Sequence, residues 1–267
     1  PKLKALKLSG MLETLEMRSA AAQEDSQSPV EFLALLLDDE VERREQTRSR
    51  RRVKEAGVDE SKTLARFDFA ASPRVPKTLL ADLALCRFVE RGENVLFIGP
   101  TGTGKSHLAQ ALTNEAIRRG YRALYRPVHA LLASLHAARA DGSYPRQRAR
   151  LVNVDLLVLD DFGLVPLPAQ AVEDLYELIR ERYEQRPILL TSNRAPEEWG
   201  EVFGNPLLAS AALDRLTHHA HLVTLTGDSY RQRKRKTGKT PAQPEPTASG
   251  KEADNPTRKP RPKPANR

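Results

Sequence analysis

One cysteine in 267 residues, Cys86, leaves no partner for an internal disulfide. It stands in an apolar-periodic stretch, which predicts a buried structural thiol over a reactive one. Long apolar runs are also missing: the most apolar stretches stop after about seven residues, far short of a membrane span. The start, Pro1-Lys2-Leu3-Lys4, is basic but lacks the apolar block that follows in a secretion signal. These absences predict a reducing, cytoplasmic setting without membrane contact. Hydrophobic residues make up 39%, below the share usual for a folded domain, so part of the chain is expected to lie outside any core. No internal repeat is visible.

Excess charge is missing from the body. The net charge is +8, but residues 231–267 hold 12 Lys/Arg against 3 Asp/Glu, while residues 1–230 hold 31 against 32. The basic character therefore belongs to the tail and does not by itself make the body a nucleic-acid binder. From Gly238 onward there are seven prolines and no periodicity, so residues 237–267 are expected to be a disordered, Pro/Lys-rich tail.

What is present is organised around residues 94–106, Asn-Val-Leu-Phe-Ile-Gly-Pro-Thr-Gly-Thr-Gly-Lys-Ser. Val95 to Ile98 reads as a buried strand, and a helical pattern begins at His107 and Leu108. Between them Gly99, Pro100, Thr101, Gly102, Thr103, Gly104, Lys105 and Ser106 match a P-loop in its required context. Its backbone N–H groups and the helix N-terminus would wrap a phosphate. Lys105 would reach the β- and γ-phosphates, and Ser106 would offer its hydroxyl to Mg²⁺. The expected ligand is a nucleoside triphosphate, ATP with Mg²⁺.

Residues 1–57 read as a small helical domain. Lys4 to Met17 has apolar residues at 5, 8, 12 and 15. Ser28-Pro29-Val30-Glu31 looks like a helix start, with Phe32, Leu33, Leu36 and Leu37 as the core face and Gly57 as the C-cap. Arg43, Arg44, Arg48, Arg50, Arg51, Arg52 and Lys54 face Glu45 alone across 43–54. A solvated charged helix and a phosphate-backbone contact both account for them. Residues 58–76 read as a linker, where Phe67 and Phe69 either pack between domains or lie against an adenine. Lys77 to Arg91 reads as one helix. From Glu93 strands and helices alternate: strands are expected at 122–126, 155–159, 187–191 and 221–225, with helices at 128–140 and 169–185. Near-continuous apolar strands imply a parallel five-stranded sheet with helices on both faces.

Leu156-Leu-Val-Leu159 delivers Asp160-Asp161 to a sheet edge, the form of a Walker B element. Asp160 would hold Mg²⁺ beside Ser106, and Asp161 would polarise the attacking water. Asn193, after the fourth strand, either reaches the γ-phosphate or closes a turn. Arg215 is placed to act on a neighbour's nucleotide, with an ion pair to Asp214 as the alternative. His218, His219 and His221 lack a companion carboxylate at ligand spacing, which argues against a metal. Trp199 reads as a packing anchor.

This order of motifs resembles the AAA+ ATPases, their helicase-loader branch, and within it the IstB family of insertion-sequence transposition helpers. The carriers are Gly99 to Ser106, Asp160-Asp-Phe-Gly163, Thr191-Ser-Asn-Arg194, Glu198-Trp-Gly-Glu201, Leu213 to His221 and Ser229-Tyr-Arg231. Trp-Gly-Glu followed by Asp-Arg-Leu-x-His-His is the specific part, and the likeness covers residues 1–236. It implies a P-loop (AAA+) domain over 77–236, with Asn193 as sensor 1, Arg215 as arginine finger and Arg231 as sensor 2. Asp161 stands where glutamate is usual, a shorter arm. Only 42 residues follow Leu225, so no full helical lid is expected, and a neighbour would have to cover the site. The resemblance further implies a homo-oligomer sharing ATP sites, assembly on duplex DNA within the nucleoid, deformation of that DNA, and delivery to an IstA-type transposase that stimulates hydrolysis. The DNA-facing candidates are the 43–54 cations together with Arg146, Arg148 and Arg150. No base-reading motif is visible, so phosphate contact and DNA deformability should dominate. The rival is a replicative helicase loader of the DnaC type, and a free-standing metabolic kinase is less consistent with Arg215 and the missing lid.

Overall fold

Five short strands share two cores because each alternates between them. The computed structural model describes residues 1–230 except 71, 73, 74 and 228. In chain order the elements are α1 (Lys2–Ala5), α2 (Ser9–Glu24), α3 (Pro29–Ala56), α4 (Lys77–Leu83), α5 (Arg87–Arg91), β1 (Asn94–Ile98), α6 (Lys105–Arg118), β2 (Ala123–Pro127) and α7 (Val128–Ala140). They continue with α8 (Tyr144–Asn153), β3 (Leu156–Phe162), α9 (Ala169–Arg182), β4 (Ile188–Ser192), α10 (Trp199–Phe203), α11 (Pro206–Thr217) and β5 (Ala220–Thr224). The sheet is parallel, in the order β2-β3-β4-β1-β5. Side chains two apart share a face: Leu96, Ile98, Leu157, Leu159 and Leu190 meet α7 to α11, while Val95, Phe97, Leu156, Val158 and Leu189 meet α4 to α6. This is the doubly covered parallel sheet expected from the strand composition. Among the described residues no helical lid follows β5, and no helix is long and apolar enough to cross a membrane. The tail, 237–267, lies outside the described residues.

The start and stop of α3 are as its sequence predicts. Ser28 Oγ accepts from the Glu31 amide at 3.2 Å and Glu31 returns the bond to the Ser28 amide at 2.9 Å, a reciprocal cap. Gly57 ends the helix at φ 73°. Its packing differs from expectation. Leu36 is buried, but Leu33 and Leu37 are half exposed, because the contact with α2 centres on Glu40. That carboxylate is 4% exposed. It accepts from the Gly10 amide at 2.6 Å and the Met11 amide at 3.4 Å, and pairs with Arg44 at 2.6 Å. Orphan amides of the first turn of α2 are thus satisfied by a residue of the next helix. On α2 the buried positions are Gly10 and Met11, rather than 5, 8, 12 and 15. A Cβ on Gly10 would lie 2.7 Å from both Asp39 O and Glu40 Cα.

Two further differences concern breaks. The helix expected over 77–91 divides into α4 and α5 at Cys86, whose φ is 58°. The thiol is buried, as predicted, and burial pushes its pKa up to about 11. Arg146, Arg148 and Arg150, read only as DNA-facing candidates with no element assigned, lie on α8, which has Pro145 in its first turn.

Gly10→Ala should splay the α2–α3 pair and cost about 1–3 kcal/mol by overpacking, seen as a lower thermal midpoint; an unchanged midpoint would contradict the tight contact. The same pair should weaken in acid. The Arg18 hydrogen bond, helped by Thr14, holds the Asp39 carboxyl down from 3.8 to about 2. A depressed carboxyl stabilises fully above its unfolded value and loses that stabilisation as pH falls through its folded value. Melting curves of the protein and of Asp39→Asn should therefore converge between about pH 4 and pH 2.

Candidate nucleotide site and basic cleft

The P-loop leaves β1 between β4 and β5 and turns into α6 at Gly104, whose φ is 98°. Glycine is required there twice over, since a Cβ would also lie 2.6 Å from Cε2 of Phe67. Lys105 is buried, with Nζ donating to Gly99 O at 2.7 Å and Pro100 O at 2.8 Å. Burial holds its pKa below the ordinary value, and the charges of Asp161 and Asp160 oppose that fall. Thr103 Oγ1 donates to Pro100 O at 2.9 Å and fixes the loop. The Tyr230 amide donates to Gly102 O at 3.0 Å, so the chain returns to the P-loop just before Arg231, which itself lies outside the described residues.

The segment expected as a loose linker is bonded to α6. Asn114 Nδ2 donates to Asp59 O and Lys62 O at 3.0 and 2.8 Å, and His107 Nε2 meets Thr63 O at 2.9 Å. The Phe67 ring lies 5.0 Å from Phe69 and 5.6 Å from His107. Packing against α6 and the P-loop is the role these contacts give Phe67.

Asp160 and Asp161 sit on a β-bulge. Between Leu159↔Leu190 and Phe162↔Ser192, β3 uses two residues where β4 uses Thr191 alone. Asp160 turns inward, 3% exposed. Tyr125 and Thr191 hydroxyls donate to its two oxygens. Asp161 is exposed at φ 58°, and its amide donates to Thr191 Oγ1 at 3.0 Å. This accounts for the shorter residue: the left-handed region tolerates aspartate better than glutamate.

Asn193 follows β4, the strand between β1 and β3, so it stands at the sheet end between the P-loop and Asp160. It is exposed and does not close the turn; Ser192 does, its Oγ accepting from the Arg194 amide and donating to Arg194 O. Arg194 donates to Gly163 O at 2.9 Å and pairs with Glu201 at 2.9 Å, joining the Asp-Asp-Phe-Gly and Trp-Gly-Glu stretches. Trp199 is fully buried, 4.8 Å from Phe162 at 77°. It is the packing anchor expected, and it fixes the residue that closes the bulge.

Arg215 lies at the other end of the sheet. Its carbonyl accepts from Asn94 Nδ2 at 3.3 Å, at the start of β1, while the P-loop leaves the finish. The strand alone separates them by about 13 Å. No ion pair with Asp214 forms; the guanidinium faces the rings of Tyr176 and Tyr183 at 5.6 and 5.9 Å and donates to Ala211 O. The histidines part company. His221 meets Glu93 at 2.9 Å, while His218 and His219 do gain a carboxylate, Glu184, that the sequence spacing hid. All three are exposed, and His218 Nδ1 is bonded to the Tyr183 hydroxyl at 2.8 Å.

The basic candidates divide by their partners. Arg43 pairs with Glu13, Arg44 with Glu40, Arg51 with Glu55, and Arg148 with both Glu177 and Glu181. Arg48, Arg50, Arg52, Lys54, Arg146 and Arg150 make no ion pair or side-chain hydrogen bond among the described residues. Arg52 and Arg150 line a cleft of about 210 Å³ between α3, β2 and the end of α8, and Arg146 and Arg150 line an adjoining one of about 820 Å³ that α7 also walls. Arg126 shares the larger cleft but donates to Ala56 O at 2.7 Å and Glu55 O at 3.3 Å.

Sequence reasoning passed over Tyr125 and Arg182. Arg182 is 1% exposed and donates to the carbonyls of Leu151, Val152, Val154, Asp155 and Pro187, tying the end of α8 to the starts of β3 and β4. Burial pushes its pKa down to about 9, so it stays protonated at neutral pH. Only its place among basic helix-end residues marked it.

The sequence profile of the IstB-like ATP binding protein family matches residues 1–238. An ATP-binding protein in an insertion sequence of Mycobacterium tuberculosis is 41% identical over 234 residues, 87% of this chain and 93% of that one. The insertion sequence IS21 ATP-binding protein of Pseudomonas aeruginosa is 40% identical over 209 residues, 78% of this chain and 79% of that one. Among solved structures, the replication initiator DnaA bound to AMPPCP and single-stranded DNA matches at TM-score 0.53 and 28% identity. That match covers 67% of this chain and spans just over half, 56%, of the other.

If the bulge dictates aspartate at 161, then Asp161→Glu should lower stability by up to about 1 kcal/mol and Asp161→Gly should not. Equal midpoints for aspartate and glutamate in denaturant melts would remove backbone conformation as the reason.

Proposed function

The chain belongs to the IstB-like ATP binding proteins of insertion sequences, and from that premise we propose that it is an Mg²⁺-dependent ATPase that assembles on duplex DNA. In this reading it deforms the duplex and delivers it to a partner transposase, and hydrolysis controls disassembly. The observation that carries the reading is that the candidate residues fall at the two opposite ends of the sheet. Lys105, Asp160, Asp161 and Asn193 gather where β1, β3 and β4 finish, and Arg215 stands where β1 begins.

The residues at the first end fit a magnesium nucleotide. Ser106 and Asp160 offer hard oxygen donors of the kind Mg²⁺ takes, and Mg²⁺ would supply charge to the phosphates. Lys105 and the amides of residues 101–106 bind the phosphate chain. Asp161, exposed on the bulge, polarises water, and Asn193 orients it. Arg215, on its tyrosine seat, reaches a neighbour's γ-phosphate and so makes turnover depend on a homo-oligomer. Arg231, as sensor 2, would act from just beyond the Tyr230–Gly102 contact.

For DNA, the unpaired Arg52, Arg146 and Arg150 around the clefts are the phosphate contacts, with Arg48, Arg50 and Lys54 beside them. Arg148, Arg44, Arg43 and Arg51 serve the fold through their ion pairs. The insertion-sequence relatives, aligned over most of their length, favour a transposition helper over a DnaC-type helicase loader.

Lys105→Ala should abolish ATP-dependent assembly on DNA, read by electron microscopy with and without ATP; assembly as in the parent would take the P-loop out of the mechanism. Arg215→Ala should bind ATP without turnover, and mixing it with Lys105→Ala subunits should restore hydrolysis; no restoration would end the argument for action in trans. Charge reversal of Arg52, Arg146 and Arg150 together should flatten the salt dependence of DNA binding by about 3 in log–log slope. Arg148→Glu should instead lower the thermal midpoint, and a slope that responds equally to Arg148→Glu would place Arg148 among the phosphate contacts.

A further inference from the structure

We propose that Tyr125 is a positioning residue that sets the Asp160 carboxylate for its divalent cation. The inference rests on the reading of Asp160 as the cation-holding carboxylate. Tyr125 stands on β2 opposite Val158 of β3, two residues before Asp160. The alternation of a strand puts Val158 and Asp160 on one face, and diagonal neighbours on paired strands lie within reach of an aromatic side chain.

The phenol has one proton, and its surroundings commit that proton to Asp160. Gln110 Oε1 accepts from the Asp59 amide at 3.0 Å, which turns Gln110 Nε2 toward the Tyr125 oxygen at 3.3 Å. Tyr125 therefore accepts from Gln110 and donates to Asp160 Oδ2. The second donor is locked in the same manner. Thr191 Oγ1 accepts from the Asp161 amide and donates to Asp160 Oδ1. Each carboxylate oxygen thus has one lone pair engaged by a donor of fixed direction, and keeps another for a cation or its water.

Removing the phenol hydroxyl frees one side of the carboxylate. Asp160 can then rotate, and Lys105, whose charge it already feels, becomes a competing partner. Partners of metal ligands at this remove change metal affinity by about 10–100-fold when deleted.

The test uses the full chain and a fluorescent ATP analogue, with binding titrated against Mg²⁺ under conditions where nothing turns over. Tyr125→Phe should raise the Mg²⁺ concentration for half-maximal enhancement of binding by about tenfold, with analogue affinity in EDTA unchanged. An effect equal with and without Mg²⁺ would mark a structural role and overturn the proposal. In an Asp160→Asn background Tyr125→Phe should add no further shift; additive shifts would also overturn it. If the parent protein shows no Mg²⁺ dependence, the reading of Asp160 fails. If the parent depends on Mg²⁺ and Tyr125→Phe follows the parent's curve, that reading stands and the role of Tyr125 falls.

Discussion

A carboxylate 3% exposed at the end of an apolar strand is tolerable only when its oxygens are bonded, because a buried, unpaired charge costs several kcal/mol. Much of the site follows from meeting that condition at Asp160. Strand alternation brings the side chain inward between Tyr125 and Thr191, and β3 then takes one residue more than β4 before Phe162, the bulge. The bulge puts Asp161 at positive φ and out in solvent. Its downstream limb needs an anchor, which Arg194 supplies through Gly163 O, and Trp199 supplies by packing on Phe162. Motifs that look separate in sequence, Asp-Asp-Phe-Gly, Thr-Ser-Asn-Arg and Trp-Gly-Glu, are parts of one support.

The parallel sheet gives that support a direction. All five strands finish at one end, where loops after β1, β3 and β4 can meet a ligand. Helix α11 runs back along the sheet to feed β5, so anything on its last turn is delivered to the starting end. Arg215 is there by topology, and half-buried tyrosine rings hold its guanidinium. A single copy cannot bring that charge to its own P-loop without undoing the β1–β5 pairing. On the proposed function, the need for a second copy is thus a consequence of strand polarity.

What was legible in the sequence was local. Strands buried on both faces appear as apolar runs, and the ends of α3 are written in Ser28, Glu31 and Gly57, within a turn of the groups they satisfy. The P-loop and the aspartates were readable for the same reason, since the backbone that shapes them is contiguous. What escaped depends on partners far away. Gly10 makes sense only against Glu40, Tyr125 only against Asp160, and Arg182 only against five carbonyls from two other segments. The apolar face drawn on α3 was displaced for that reason, because Gly10 lets α2 approach at Glu40 and leaves Leu33 and Leu37 half exposed. Arginine density shares the limitation: seven cations between 43 and 54 look equivalent until Glu13, Glu40 and Glu55 claim three of them.

The same long-range contacts join the two halves of the proposed function. The end of α3 is fixed by Arg126, which donates to its last carbonyls, and the neighbouring residue on β2, Tyr125, holds Asp160. The turn after α3 is fixed by Gln110 and Asn114, both on the helix that begins at Lys105. Arg52 and the cleft it lines are therefore tied to the candidate nucleotide site through short, bonded paths rather than through a flexible tether. A duplex whose phosphates sit at Arg52, Arg146 and Arg150 would be held by the same β2 edge that carries Tyr125. Any shift of α6 relative to β2 would have to break bonds at Asp59, Gln110 or Arg126, or else move the end of α3. On the proposed function, DNA contact and nucleotide binding share one mechanical frame, and a reciprocal effect of each on the other's affinity follows from linkage wherever that frame has two arrangements.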